Sequence, residues 1–254
     1  MPVLVLAFVF FTIALVYATV GFGGGSSYSA LLVLAGKEFH LIPVISLSCN
    51  IIVVSGGAFH FHKAGLFSSR KLLPFLVLSI PMAWFGGQLQ VNESTFVGLL
   101  GMILLLAGGQ MIWTSLGEQS LLRSRAMNLW ILGLPAGAVI GLISGIVGIG
   151  GGIFLAPLLH LGTSLEARKI AAMASGFILL NSISGLAGQL MKQGEVSVYG
   201  QWVDSWPLFL AVFLGGQLGS RLGINVLPEH WIKRLTGLLI AYVAIRLLLK
   251  WVSM

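Results

Sequence analysis

Apolar runs separated by short polar breaks divide the chain into ten segments, each expected to be helical. In the first half they cover residues 3–20, 26–36, 41–60, 72–90 and 95–115, and in the second 128–147, 153–162, 167–190, 207–222 and 231–251. Most are near the ~20 residues that cross a bilayer. Segments 26–36 and 153–162 are too short, each reaching roughly half of a ~30 Å hydrocarbon core. The alternation of ten-residue polar and apolar positions that marks a membrane β-barrel is absent from the pattern. No basic stretch precedes residues 3–20 and no small-residue cleavage site closes them, so this segment is expected to be the first helix rather than a leader.

The pattern also repeats. Gly21-Phe22-Gly23-Gly24-Gly25 returns as Gly148-Ile149-Gly150-Gly151-Gly152, a shift of 127. Ser55-Gly56 returns as Ser184-Gly185, Lys63-x-Gly65 as Lys192-x-Gly194, and Gly86-Gly87-Gln88-Leu89 as Gly215-Gly216-Gln217-Leu218, each with a shift of 129. Four matches in one order at nearly one offset point to an internal duplication. Repeat one is about 1–125 and repeat two about 126–254, within a single transmembrane domain over 1–254.

Composition agrees with the pattern. Of 254 residues 57% are hydrophobic and 8% charged, against about 25% charged in a soluble domain. The mean hydropathy is +1.00. Such a chain cannot cover a water-facing surface and is expected to be an integral membrane protein. The formal charge of +7 then marks cytoplasmic loops rather than nucleic-acid binding. Cys49 is the single cysteine, which excludes an intrachain disulfide and a cysteine-based metal site.

Five segments per repeat is an odd number, so the second copy is expected upside down relative to the first. Charge placement tests this. Alternating the segments puts Lys63, Arg70, Lys71, Arg123, Arg125, Arg168, Lys169, Arg221, Lys233 and Arg234 on one side, with Glu118, Glu166 and Glu229. The other side receives Lys37, Lys192, Arg246 and Lys250 against Glu38, Glu93, Glu195 and Asp204. The whole excess falls on one face, which the positive-inside rule makes cytoplasmic. The expected fold is therefore all-α integral membrane: two inverted-topology repeats of five helical segments each, with a glycine-broken half-length hairpin helix in each repeat. Both termini are expected outside the cytoplasm, in a multi-pass protein of the cell (inner) membrane.

Each glycine break stands between a long segment and a half-length one, the sequence pointer to a transporter site. Irregular backbone at membrane depth survives only where it is buried in protein or lines a polar cavity. A short helix is expected to begin just after each break, near Ser26 and near Ile153. The first N–H groups of a helix lack internal partners and carry about +0.5 of partial charge, which makes an anion site without a basic side chain. Two such ends offer roughly one positive charge. Ser26 and Ser27 add hydroxyls in the first copy; Ile153 and Phe154 stand there in the second. For an isolated glycine, close helix packing is the usual reason; three in a row, twice, at matched positions, point to a functional break. The dinucleotide fingerprint G-x-G-x-x-G is not met, since Ser26 and Ile153 replace its third glycine.

Among the other polar positions, Ser46, Asn50 and Gly57 lie within about 40° of one helical face. Ser175, Ser182 and Gln189 share a face of the eighth segment, and Asn181, Gly185 and Gly188 another. Such groups bind an oxyanion or join helices. Asn50 and Ser175 are the favoured site residues, because each follows the hairpin carrying a break. No Asp or Glu lies mid-segment, which counts against carboxylate-based ion coupling. His160 is the one titrating candidate near the core; His60 and His62 read as loop residues. An intramembrane serine protease built on Ser26 would need His160 as its base and leaves the breaks unexplained, so no enzyme is expected.

The run Gly145-Ile146-Val147-Gly148-Ile149-Gly150-Gly151-Gly152-Ile153-Phe154-Leu155-Ala156-Pro157-Leu158-Leu159 resembles the signature of the sulfite exporter (TauE/SafE) family of membrane transporters. Gly21 to Leu34 is similar to its weaker first-half copy, and Ala171-Ala172-Met173-Ala174-Ser175 to the segment that follows. One departure is Ala30, where the first copy lacks a counterpart of Pro157. The resemblance implies transport of sulfite, sulfonates or other small organic acids, and by position Gly23, Gly24, Gly25 and Ser26, Gly150, Gly151, Gly152 and Ile153, and Ser175 as site residues. Ser27, Asn50 and Asn181 complete the candidate set. A monoanion suits one dipole charge. With the interior negative, moving one negative charge outward gains ~2.3 kcal/mol per 100 mV, so export by alternating access is expected; the alternative is an anion or small-solute channel. The expected partners are a small anionic substrate and the lipid bilayer, with no cofactor and no nucleic acid; the oligomeric state stays open.

Overall fold

The computed structural model describes residues 3–19, 21–116, 129–162, 165–192, 200, 202–222, 238, 241–242, 244–245, 247–249 and 251–252. Among the described residues run nine helices of ten residues or more: α1 (Val3–Thr19), α2 (Gly25–Leu34), α3 (Leu41–Lys63), α4 (Ser69–Gln88), α5 (Glu93–Leu116), α6 (Leu129–Val147), α7 (Gly152–Gly162), α8 (Ala167–Lys192) and α9 (Trp206–Leu222). The segment expected over 231–251 is described from residue 238 only and in pieces, all of them helical. No strand occurs among the described residues. Of the loop charges counted above, Arg123, Arg125, Glu118, Glu195, Glu229, Lys233, Arg234, Arg246 and Lys250 lie outside the described residues.

The half-length expectation is met. α2 has 10 residues and α7 has 11, each beginning one position before the expected start. α2 forms without a counterpart of Pro157. That proline stands in the middle of α7 rather than at its first turn, where proline assists a helix, and alanine at Ala30 is the better helix former.

Among the described residues, Leu41–Lys63, Leu129–Val147 and Arg168–Lys192 are long and apolar enough to cross a membrane. The described helices present large apolar side chains outward, among them Leu4, Phe8, Leu106 and Ile131. In water such a surface would aggregate; against lipid tails it is at home. Pro74 and Pro81 stand inside α4 and Pro135 inside α6, as membrane helices tolerate more readily than soluble ones.

Two apolar clusters flank the middle of the molecule. Phe10, Ile13, Tyr28, Leu32, Ile45 and Phe96 hold α2 among α1, α3 and α5. Leu155 and Leu159 of α7 pack with Phe75, Ile140, Met173 and Phe177 from α4, α6 and α8.

The longest helix contacts run between the two sequence copies: α6 lies along α4, and α1 along α9. The helix opening one copy thus packs on the fourth helix of the other, both ways. Small residues permit the close approach. On α6, Gly137, Gly141 and Gly145 recur every fourth residue against the carbonyl oxygens of Phe75, Ser79 and Ala83. On α9, Gly215 and Gly219 meet those of Phe11 and Leu15. A Cβ at Gly141 would overlap the Ser79 oxygen. Gly141→Val is therefore expected to cost about 1–3 kcal/mol through overpacking and to lower the melting temperature in detergent. Gly109→Ala on α5, with open space around it, should not.

Candidate functional site

Both triple-glycine stretches interrupt the helix, and both are buried. Each is two glycine caps set back to back. Gly21 closes α1 by donating from its N–H to Ala18 O, while Phe22 N–H donates to Tyr17 O, the paired closure of a left-handed helix end. Gly148 N–H closes α6 on Ser144 O. Three residues later the chain turns again, at Gly24 with φ +85° and Gly151 with φ +77°, values that L side chains rarely adopt. Gly24 O then accepts from Ser27 N and Tyr28 N, and Gly151 O from Phe154 N and Leu155 N. The N–H groups of Gly25 and Ser26, and those of Gly152 and Ile153, precede the first helical bond and have no partner in their helix. No side chain caps α2.

The two breaks, 127 residues apart in sequence, meet in space, and α3 joins them. Ser46 Oγ donates to Gly25 O at 2.9 Å and to Gly148 O at 2.7 Å, sharing one proton between the two breaks. One turn on, Asn50 Nδ2 donates to Ile149 O at 3.1 Å. Ser29 Oγ of α2 reaches Val147 O at 3.3 Å. Three consecutive carbonyls of the second break are thus taken by donors from the first copy. Buried carbonyls need such partners, and the consequence is electrostatic. With these three carbonyls engaged, the helix-start donors left over give the junction a positive contribution.

The space around Asn50 is closely defined. A Cβ at Gly23 would overlap Asn50 Oδ1, one at Gly25 would overlap Nδ2, and one at Gly150 would come within 2.8 Å of Nδ2 and 3.0 Å of Ser182 Oγ. Glycine at these positions lets the amide lie directly on the main chain. Three fully buried polar atoms at the junction have no hydrogen-bond partner among the described residues: Asn50 Oδ1, Ser182 Oγ, and Tyr28 OH beside Gly24.

The structure therefore brings together Gly23, Gly24, Gly25, Asn50, Gly150, Gly151 and Gly152. Ser26 lies buried in the first turn of α2. Ser27 turns to α1, where its Oγ meets Tyr17 OH at 2.9 Å. Ile153 packs against the apolar cluster around α1 to α3. Ser175 and Asn181 do not join the junction through hydrogen bonds: Ser175 Oγ donates to Ala172 O and Asn181 Nδ2 to Phe177 O, each on its own helix. On sequence alone Ser46 and Ser182 stand out only as members of polar faces, and Tyr28 and Ser29 do not stand out at all. The available signal for Ser46 was its match to Ser175 at the 129 offset, one turn before Asn50.

Gln189 Nε2 donates to Gly145 O at 2.8 Å, and Gln217 packs on Gly56; both join helices. The described acidic residues, Glu38, Glu93, Glu166 and Asp204, stand at helix ends or in turns. The side chain of His160 lies outside the described residues.

A family model described as sulfite exporter TauE/SafE matches residues 6–247. The probable membrane transporter protein y4hK of Sinorhizobium fredii is 33% identical over 250 residues, 96% of this chain and 97% of that protein. The probable membrane transporter protein MJ0441 of Methanocaldococcus jannaschii is 23% identical over 243 residues, 91% and 89% of the two chains. The probable membrane transporter protein MamO of Magnetospirillum gryphiswaldense is 24% identical over 268 residues, 89% of this chain but 41% of that longer protein. No solved structure matches the chain.

Proposed function

The chain belongs to the sulfite exporter TauE/SafE family of membrane transporters, and from that premise we propose that it exports a small sulfur-containing oxyanion, sulfite or an organosulfonate, by alternating access. The observation that carries this is the junction of the two breaks, where side chains of α2 and α3 occupy the carbonyls and helix-start N–H groups remain. A site for a cation would keep its carbonyls free; this one keeps its amides, the arrangement that holds anions at helix starts. Gly23 to Ser26 and Gly150 to Ile153 line it in this reading, with Asn50 between them. Ser175 and Asn181 support α8 rather than the guest.

We read the two copies as inverted repeats of one domain. The reciprocal packing of α1 on α9 and α6 on α4 supports the pairing, and the sequence charge bias supports the inversion, with both termini outside an inner membrane. Asn50 stands near the middle of α3, a helix long enough to span, which suits a site at mid-depth. Two halves rocking about that site would expose it to either side in turn.

The test is efflux of labelled sulfite from proteoliposomes. The expected flux saturates with internal sulfite, is lowered by unlabelled sulfite as competitor, and rises when the interior is made negative. A current that grows linearly with concentration would favour a channel, and no sulfite flux above protein-free vesicles would refute the reading.

A further inference from the structure

We infer that Asn50 determines specificity: its Oδ1 accepts a hydrogen bond from the guest, so the site takes an oxyanion that still carries its own proton over one of like shape and charge that does not. This rests on the reading of the glycine junction as an oxyanion site. The orientation of the Asn50 amide is fixed by chemistry. Nδ2 donates to Ile149 O at 3.1 Å; the flipped amide would set two acceptors against each other. Oδ1 is thereby turned to Gly23 and Gly25, at the start of α2, fully buried and without a partner among the described residues. A buried acceptor left unsatisfied is costly, and buried polar atoms are seldom left so. The groups beside it cannot repair the deficit, because the N–H groups of Gly25 and Ser26 are directed along the helix axis toward a guest. Ser182 Oγ, also buried and unpartnered at Gly150, is a second group able to accept. The junction so presents amide donors for the charged oxygens and an acceptor for a hydroxyl. Hydrogensulfite fits both. A proton-free anion meets the donors and sets a lone pair against Oδ1.

No charged side chain of the described elements competes for this role. The titratable groups that α1, α2 and α3 bring there are Tyr17, Tyr28 and Cys49; α8, which brings Ser182, carries Arg168, Lys169 and Lys192 only at its two ends, and the side chain of His160 on α7 lies outside the described residues. His60, His62 and Lys63 stand at the end of α3, roughly 15–20 Å from Asn50 along the axis at 1.5 Å per residue.

The experiment compares two anions of one charge and one pyramidal shape, differing in the hydroxyl: hydrogensulfite and chlorate. Each is added alone to the detergent-purified full chain in mildly acidic buffer, where sulfite carries one proton, and affinity is read from thermal stabilisation. Hydrogensulfite is expected to bind about tenfold or more tightly than chlorate. In Asn50→Leu, and in Asn50→Ser if the leucine variant does not fold, the ratio should fall to about twofold or less. Equal binding of the two anions by the native chain would overturn the inference while sulfite efflux still supported the transport reading. A ratio unchanged in a folded variant would remove Asn50 from the role. Absence of both sulfite binding and sulfite flux would overturn the inference together with the reading beneath it.

Discussion

Gly151→Val is expected to abolish sulfite efflux and to lower the melting temperature markedly. The position has φ +77°, where a β-branched residue is a true outlier. Its Cβ would stand 2.6 Å from Ile140 Cγ2 of α6 and 2.9 Å from Phe177 Cε1 of α8, and Phe177 is fully buried. Left-handed strain of about 1–2 kcal/mol and overpacking of about 1–3 kcal/mol act together. The backbone can relieve both only by turning φ negative, and that re-aims the N–H groups of Gly152 and Ile153. Each re-aimed amide gives up a hydrogen bond to the charged guest, about 1.5–3 kcal/mol, which corresponds to a loss of at least tenfold in flux. Gly36→Ala is the control. Its φ is +73° with nothing within 4 Å, so it carries strain of about 1–2 kcal/mol without touching the junction. It should lower the melting temperature slightly and leave flux intact. Labelled sulfite efflux and thermal melting of the same preparations give both readouts.

Ser46→Ala is expected to impair the protein far more than Ser175→Ala, although the two serines occupy matched positions in the sequence copies. Ser46 supplies the single proton shared by Gly25 O and Gly148 O. Removing it leaves the buried Gly148 O of the second break, which lies outside any helix, without this donor and unties that break from α2, at a cost of about 1–3 kcal/mol. Ser175 Oγ returns to Ala172 O, three residues back on its own helix; that carbonyl is served by the helix ladder as well, and its loss should cost about 0.6 kcal/mol or less. Flux in Ser46→Ala should fall several-fold, with melting lowered in parallel. Equal effects of the two substitutions would mean that the junction is held symmetrically, contrary to the hydrogen bonds described.

The contrast between these serines shows where sequence reading stops. The breaks, the half-length helices and the meeting of Asn50 with the glycines were legible, because three consecutive glycines and a hydrophobic run of half-span length have few other physical uses in a membrane. The helix ends followed within a few residues, since Gly21, Gly36 and Gly65 each close a helix with positive φ. The rotation of a helix about its axis is another matter. Ser175 and Ser182 share one face of α8, yet Ser182 abuts Gly150 while Ser175 turns inward on its own helix. Asn181, one residue away, bonds Phe177 O. Which of these meets a break is decided by packing against α3, α4 and α7, and spacing along one helix does not contain it. Tyr28 was hidden for a similar reason: it reads as an apolar member of a short segment, stacks on Phe10 at 4.7 Å, and only the fold carries its hydroxyl to Gly24.

The central claim is that main-chain amides at the paired breaks hold the anion. Diffraction from crystals soaked with selenite, a heavier counterpart of sulfite, tests it most directly through the anomalous signal of selenium. The account predicts a selenium position within hydrogen-bonding reach of the N–H groups of Gly25 and Ser26, of Gly152 and Ile153, or of both pairs, beside Asn50. Selenium bound instead among the arginines and lysines of the loops, with the glycine junction empty, would contradict it.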